Sequence, residues 1–167
     1  TNFNNANLAN ANFAGVNLDH CSFFGAVLMN ADLSEANLSN CELSRAEMMK
    51  VRLLGACLEN ATLNNVNLRS QLLMGSNLRN ANLLQADLSD ADLSGADLTG
   101  ASLSEANLEL TNFFRANLTG ANLRGASVRH AIFKEAILEG TNFSNVNLKE
   151  ADFSWAVKCK IFLTGKI

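Results

Sequence analysis

The chain has 167 residues, of which 48% are hydrophobic and 17% are charged, and its formal net charge is -3. This composition suits one domain with a sizeable core and excludes a disordered chain. It lacks the basic face of a nucleic-acid binder, the basic helix of a membrane-surface protein and the ~20 apolar residues of a transmembrane helix. We therefore expect no membrane association and no direct nucleic-acid binding.

A large apolar residue stands at every fifth position from Phe3 to Phe153. Two residues before it stands a small residue, most often Ala, and the residue between them is usually Asn or Asp. A period of five fits neither a helix, where successive positions would lie ~140° apart, nor a flat strand, where they would alternate between faces. The pattern predicts short extended pieces separated by bends and wound into a coil with an apolar interior.

Correlations at a separation of twenty residues indicate four repeats per coil. Cys21 then aligns with Cys41, so that their side chains lie one coil apart. Neighbouring coils would lie ~4.8 Å apart, close enough for direct side-chain pairs. Three opposite-charge pairs are predicted on this basis: Glu59 with Arg79, Glu109 with Arg129, and Arg115 with Glu135.

Segments 86–90, 91–95 and 96–100 read ADLSD, ADLSG and ADLTG, and they resemble the A(D/N)LXX consensus of the pentapeptide-repeat family. The resemblance covers residues 1–157. It implies an all-β fold, a right-handed quadrilateral parallel β-helix, in which Leu or Phe and the preceding Ala point inward. At twenty residues per coil this makes just under eight coils. Residues 158–167, where Lys158 replaces the central apolar residue, are expected to form a C-terminal cap or tail.

Outward positions are mostly Ser, Thr, Asn and Gly, so we look for function where large apolar side chains replace them. A contiguous exposed apolar patch can mark a protein interface, whereas single exposed apolar residues are normal. Both interpretations stay open for this chain. The residues of the predicted interaction surface are Met29, Met49, Leu54, Leu72, Met74 and Phe114, with Ile132 farther along.

The two ends of a solenoid expose strand edges that invite pairing unless they are covered. Thr1 to Phe3 is already in repeat phase, which fits a trimmed chain, a cleaved leader or an upstream domain. At the other end an apolar tail is predicted to cap the last coil, and the alternative is an end-to-end homodimer. The residues assigned to this cap or dimer contact are Trp155, Ile161, Phe162 and Leu163.

Polar residues also occupy inward positions. Gln71 and Ser76 need hydrogen-bond partners there, and we expect a local network or a buried water. For Cys21 and Cys41 we expect two packed thiols, with a disulfide as the alternative. Residues 80–114 hold six acids and no Lys or Arg, and residues 115–134 hold four basic residues and no acid. We interpret these stretches as structural because consensus Asp residues often serve turns in this family, and the alternative is a charged docking surface.

The residues that could carry chemistry are few and scattered. His20 and His130 lie more than five predicted coils apart, and the cysteines do not cluster with them into a zinc site. We therefore expect no enzyme, no cofactor and no metal. The predicted function is a non-enzymatic structural scaffold or protein-interaction module, and the expected partner is another protein.

The resemblance offers an alternative function. Some pentapeptide-repeat proteins are DNA mimics that bind a type II topoisomerase and thereby inhibit gyrase or protect it from quinolones. The net charge of -3 and the four basic residues within 115–134 depart from such a strongly negative rod. Cysteine usage favours the cytoplasm, while the family also occurs in the thylakoid lumen or periplasm, which would apply if a leader was removed.

Overall fold

A computed structural model describes residues 1–158 and Phe162. The second residue of almost every repeat forms a single parallel bridge with the residue twenty positions later, from Asn2 with Ser22 to Asn142 with Phe162. Within this part of the chain there is no helix and no strand longer than one residue. Four repeats therefore complete one turn of the coil, as the sequence correlations predicted.

Each repeat ends in a tight turn. The N–H group of Ala6 donates to the carbonyl of Phe3 at 3.0 Å, and the same bond recurs along the chain. The fifth residue of the repeat has a positive φ from Asn5 to Trp155, except at Glu150. A positive φ at the second central residue is typical of a type II turn and favours Gly and Asn, which are frequent at this position. The chain thus changes direction once per repeat.

The Asn or Asp at the second position holds the turn that follows it. Asp97 Oδ1 accepts hydrogen bonds from the Thr99 N–H at 3.0 Å and from the Thr99 hydroxyl at 2.6 Å. Asp92 likewise accepts from the Ser94 N–H at 2.9 Å. These are Asx turns, which explains why the repeat uses Asn and Asp here. Asp87, Asp92 and Asp97 of the 80–114 stretch therefore serve the backbone turns, as predicted for consensus Asp residues.

The interior is filled by the large central residues and the small residues two positions earlier. Phe113, Phe133 and Phe153 stack in register, with 4.9 Å between successive ring centroids. Cys21 and Cys41 are buried free thiols, which confirms the prediction of packed thiols. Burial raises the pKa of Cys41 to about 11, and its Sγ lies 3.0 Å from the Leu18 carbonyl oxygen.

One of the three predicted charge pairs forms, with Arg115 Nε donating to Glu135 at 2.7 Å. The predictions for Arg79 and Arg129 are wrong, because each long side chain reaches an acid in the following coil that is not directly in register. The observed pairs are Arg79 with Asp97 at 3.1 Å and Arg129 with Glu150 at 2.6 Å.

At the C-terminal end the ladder extends past residue 157. Phe162 accepts from the Phe143 N–H and donates to the Thr141 carbonyl, both at 2.9 Å. The side chains of Trp155 and Phe162 are exposed. Ile161 and Leu163 lie outside the described residues, so the cap and the end-to-end dimer stay predictions.

Candidate functional site

The ladder is interrupted between two neighbouring coils. Two expected bridges are missing, the one between Glu47 and Asn67 and the one between Arg52 and Leu72, and the structure describes all four residues. The bridges on either side of them form. We call this interruption, between residues 47–55 and 67–75, the open seam. It occupies two adjacent faces of the coil and the corner that joins them.

Backbone groups at the open seam lack the partners that they have elsewhere. One coil earlier, the Leu33 N–H donates to the Arg52 carbonyl at 2.8 Å. Within the described chain the equivalent bond from the Leu53 N–H to the Leu72 carbonyl is absent, and the Leu72 N–H does not reach the Val51 carbonyl. The seam therefore offers backbone donors and acceptors that the regular ladder consumes.

Gln71 is the residue that spans the seam. It is 7% exposed and occupies the inward position that Ala fills in most repeats, directly above Val51. With its amide nitrogen assigned to the side that faces a carbonyl, it donates to Val51 O at 2.5 Å and accepts from the Lys50 N–H at 3.3 Å. The side chain thus replaces two ladder bonds. The predicted hydrogen-bond partners are thus found for Gln71, and Ser76 separately donates to the Leu73 carbonyl at 2.7 Å.

The open seam coincides with large inward residues. Val66 and Gln71 are consecutive inward residues larger than Ala, and a core that is overfilled moves the backbone. A single valine is tolerated, since Val51 stacks on Ala31 and the Arg52 N–H still reaches the Ala31 carbonyl at 2.9 Å. Two enlarged neighbours alone do not open the ladder, since Val16 and Cys21 are also consecutive and their coils stay bridged. The seam differs in that one residue of its pair is the long polar Gln71.

Two clefts open onto the seam and share one residue, Leu72. The larger cleft has a volume of about 370 Å³, and the smaller one has a volume of about 150 Å³. The larger is lined by Met49, Lys50, Asn67, Arg69, Ser70, Gln71 and Leu72, and the smaller by Arg52, Leu53, Leu54 and Leu72.

Of the six residues of the predicted interaction surface, Met49, Leu54 and Leu72 line these clefts, and Met29 and Met74 lie next to them. Met29 and Met49 occupy the same turn position in adjacent coils, as do Leu54 and Met74, while Leu72 lies on the face between the two corners. All five are exposed, and Met49 and Leu72 are each 57% exposed. We call these five residues the seam patch.

Phe114 does not belong to the seam patch. It lies two coils beyond Met74, is half-buried, and has the Arg115 guanidinium 4.7 Å from its ring centroid. Its apolar surface is thus covered by its own neighbour. The prediction for Phe114 as part of one contiguous surface with the other five is not supported by its position.

The seam lies in an electropositive stretch. Residues 45–79 hold five Lys or Arg and two Glu, a net charge of +3 in a chain whose net charge is -3. Arg52 binds Asp32 at 3.1 Å and Arg69 binds Asp90 at 3.0 Å. Lys50 has no ion pair in the part of the chain that the structure describes. Sequence reasoning missed this feature, which a running sum of charge over two coils would have found.

A second interruption lies between Ser127 and Asn147, beside Glu150. Its cleft of about 250 Å³ is polar and is spanned by the pair of Arg129 and Glu150. The hydrogen bond between them, aided by their opposite charges, lowers the pKa of Glu150 and raises that of Arg129. Unlike the clefts at the open seam, this cleft has no exposed large apolar residue among its described lining residues.

The histidines are exposed turn residues, as predicted. His20 and His130 both have a positive φ, and their nearest acids are Asp19 at 3.8 Å and Glu150 at 3.5 Å. Over residues 1–158 and Phe162, no three His, Cys, Asp or Glu side chains are grouped so that they could hold a metal. The same residues contain no helix of the length and hydropathy needed to cross a membrane.

Solved structures resemble this fold. HetL of the cyanobacterium Nostoc sp. strain PCC 7120, a pentapeptide repeat protein involved in heterocyst differentiation regulation, is 28% identical with a TM-score of 0.52. That alignment covers 96% of this chain and 86% of HetL. A trypsin-treated variant of QnrB1, a plasmid-mediated fluoroquinolone resistance protein, is 22% identical with a TM-score of 0.80, over 95% of this chain and 85% of its own. These likenesses imply a right-handed β-helix.

A search of curated proteins by sequence finds no match. Family models do match. The model described as a pentapeptide repeat region matches residues 1–71, and the model described as pentapeptide repeats matches in eight copies over 63–100, 72–109, 91–129 and 129–157. Together the two models span the repeats from the first to the last, which confirms the resemblance seen in the sequence, and the chain belongs to the pentapeptide-repeat family.

Proposed function

We propose that the chain is a non-enzymatic scaffold, a four-sided rod of just under eight coils, which binds another protein through the seam patch. The observation that carries this proposal is a coincidence of position. Five of the exposed large apolar residues lie together around the one described interruption of the ladder that has an apolar rim. Elsewhere exposed large apolar residues such as Phe24, Leu110 and Ile132 lie apart from any apolar cleft, and the second described interruption has a polar lining.

The chemistry of the seam patch suits a protein ligand. Met and Leu side chains gain by leaving water, and the flexible thioether of Met adapts to a partner's shape. Unpaired backbone groups such as the Leu53 N–H add directional hydrogen bonds, which apolar contact alone does not give. Together they provide both the affinity and the orientation that a specific interface needs.

The cleft linings support a binding role over a catalytic one. Catalysis needs a base or acid held close to a nucleophile in a concave site. The seam clefts are lined by Lys, Arg, amide, Ser and apolar side chains, with no carboxylate or imidazole among these described residues. Proteins of this family are generally structural or interaction proteins, which agrees with this proposal.

The DNA-mimic alternative has less support from the charges. A DNA mimic needs a continuous row of unneutralised acids, but the acids of this rod are repeatedly paired with arginine. Their side chains accept hydrogen bonds that an enzyme's basic groove would have to displace. The paired acids are Asp32, Asp90, Asp97, Glu135 and Glu150.

The proposal is tested with the triple variant Leu54→Ser, Leu72→Ser, Met74→Ser. Crosslinking in the source cells identifies a partner, which is then purified and titrated against the wild type and the variant. We expect binding to weaken by about a hundredfold, because three apolar contacts of about 1 kcal/mol each are lost. The matched control is Phe24→Ser, Leu110→Ser, Ile132→Ser, which removes three exposed apolar residues away from the seam.

Equal affinity of the wild type and the seam variant would overturn the proposal, provided that both proteins keep the same thermal melt. The alternative is tested in parallel by a gyrase supercoiling assay. We expect no inhibition and no protection from quinolones, and either effect at low protein concentration would favour the DNA mimic.

A further inference from the structure

We infer that the partner docks an acidic segment in the open seam, with a carboxylate at Lys50 and a large apolar side chain against Met49 and Leu72. This inference rests on the proposed function and specifies the chemistry of the ligand. It follows from what lines the larger cleft and from the charge around it.

The polar groups that line the larger cleft are rich in donors. Lys50, Arg69, Asn67 and Ser70 carry N–H or O–H groups, and no carboxylate accompanies them in this described lining. The amide of Gln71 is already bonded to the Val51 carbonyl. Leu72 also lines this cleft, and its backbone N–H has no backbone partner within the described chain. A ligand that is an acceptor, and above all an anion, satisfies these donors best.

Lys50 is the charge that remains available to a ligand. Arg69 already binds Asp90 at 3.0 Å, and Arg52 at the smaller cleft binds Asp32 at 3.1 Å. Lys50 makes no ion pair within the described chain, and its stretch of the rod carries a net charge of +3. An approaching carboxylate is therefore steered to this corner and finds a cation there.

The apolar part of the ligand is fixed by the neighbours of Lys50. Met49 precedes it in the same turn, and Leu72 lies across the seam in the same cleft. A partner side chain that covers these two residues removes water from the Lys50 pair and strengthens it. The recognised chemistry is thus a carboxylate next to a large apolar side chain.

A nucleic acid fits this surface less well. Single-stranded nucleic acids stack their bases on aromatic side chains, and duplexes are held by several unpaired basic residues. The seam patch is aliphatic, and two of its nearby arginines are occupied by acids of the rod itself. The observations favour a protein segment.

The inference is tested by selecting random short peptides, displayed on phage, on the immobilised full chain. We expect the wild type to enrich peptides that carry Asp or Glu beside Leu, Ile or Phe. Lys50→Glu should bind those peptides about tenfold more weakly, since it turns an attractive charge repulsive, and should enrich Lys or Arg instead. The matched control Lys149→Glu makes the same charge change on the same corner, several coils away, and should select as the wild type does.

The possible outcomes separate the two proposals. Apolar peptides without a preference for acids, lost in the Leu54→Ser, Leu72→Ser, Met74→Ser variant, would overturn the acidic ligand and leave the seam patch as the binding surface. Enrichment that this triple variant does not change would overturn both. Two further results would also overturn the inference. The first is that the wild type binds duplex DNA or RNA and that Lys50→Glu abolishes this binding. The second is that light scattering gives the wild type the mass of a dimer and Lys50→Glu the mass of a monomer.

Discussion

The open seam and the regular stretch at residues 81–122 are built from the same repeat but stack differently. In the regular stretch the inward small residue is nearly always Ala, and every second-position residue bridges both neighbouring coils. At the seam, Val66 and Gln71 replace two consecutive alanines, and the ladder opens. The comparison teaches that the ladder opens where a long polar inward side chain, Gln71, takes the partners of two ladder bonds.

The largest expected effect separates a regular core position from a seam position of the same residue type. Leu118 is completely buried, so Leu118→Asp places a carboxylate in the apolar interior and should cost about 4 kcal/mol or more of the free energy of unfolding. Leu72 is largely exposed, so Leu72→Asp should cost less than about 1 kcal/mol. Urea denaturation followed by circular dichroism measures both values.

A wild-type midpoint for Leu118→Asp would contradict the inward assignment of the central residue. A loss at Leu72→Asp as large as that at Leu118→Asp would instead show that the seam is closed in solution. Leu118→Asp therefore tests the closed core of the regular stretch, and Leu72→Asp tests the opening at the seam.

The second effect concerns the amide of Gln71. In Gln71→Leu, the Val51 carbonyl and the Lys50 N–H lose the partner that replaces the ladder, which should destabilise the protein by about 1–3 kcal/mol. In the double variant Val66→Ala, Gln71→Ala both inward residues regain the size used in the regular stretch, and the seam should close. Hydrogen exchange should then become slow at the Leu72 N–H, which lacks a backbone partner within the described chain of the wild type.

Slow exchange at Leu72 in the wild type, equal to that of Asp92 in the regular stretch, would contradict the open seam. Unchanged fast exchange in the double variant would show that inward size is not its cause. The double variant should also bind the partner more weakly, because the unpaired backbone groups are consumed by the ladder.

Most of the architecture could be predicted from the sequence because each repeat contains the residues that determine its own conformation. A central Leu such as Leu118 and the Ala two positions before it identify the interior, and residues such as Asp97 identify the turn. The period and the register of twenty residues therefore follow from local patterns. The apolar exceptions at Met49, Leu54, Leu72 and Met74 were also found from the sequence. Their meaning was not, because it depends on stacking between coils.

Three features could not be predicted from the sequence, for physical reasons. Gln71 was identified as an inward polar residue, but its contact with Val51 depends on how the two coils stack, which no local pattern shows. Arginine pairs were misassigned because a long side chain reaches an acid that is not directly in register. The exposure of Phe114 depends on the guanidinium of Arg115, which covers its ring.

The smallest expected effect is a pH dependence that belongs to the regular stretch. Partial burial alone would raise the pKa of Asp97, but the Thr99 hydroxyl, the Thr99 N–H and the Arg79 guanidinium outweigh it and hold the pKa below 3.8. A carboxyl group with a lowered pKa in the folded state stabilises the fold at pH values above its unfolded pKa, and this stabilisation is lost as the pH falls through the folded value. At the seam the same position in the repeat is held by Leu72, which does not titrate.

Asp97→Asn keeps an acceptor for the turn but removes the charge. We expect it to lower the free energy of unfolding at neutral pH by less than about 1 kcal/mol, since the pair with Arg79 is exposed to solvent. As the pH falls below 3.8 and then through the lowered pKa of the folded state, the difference from the wild type should shrink, because the wild-type carboxyl also loses its charge. Urea denaturation of both proteins at neutral and acidic pH measures the difference. A gap that stays constant across this range would mean that Asp97 acts through its shape alone, and that the regular stretch is as insensitive to pH at this position as the seam.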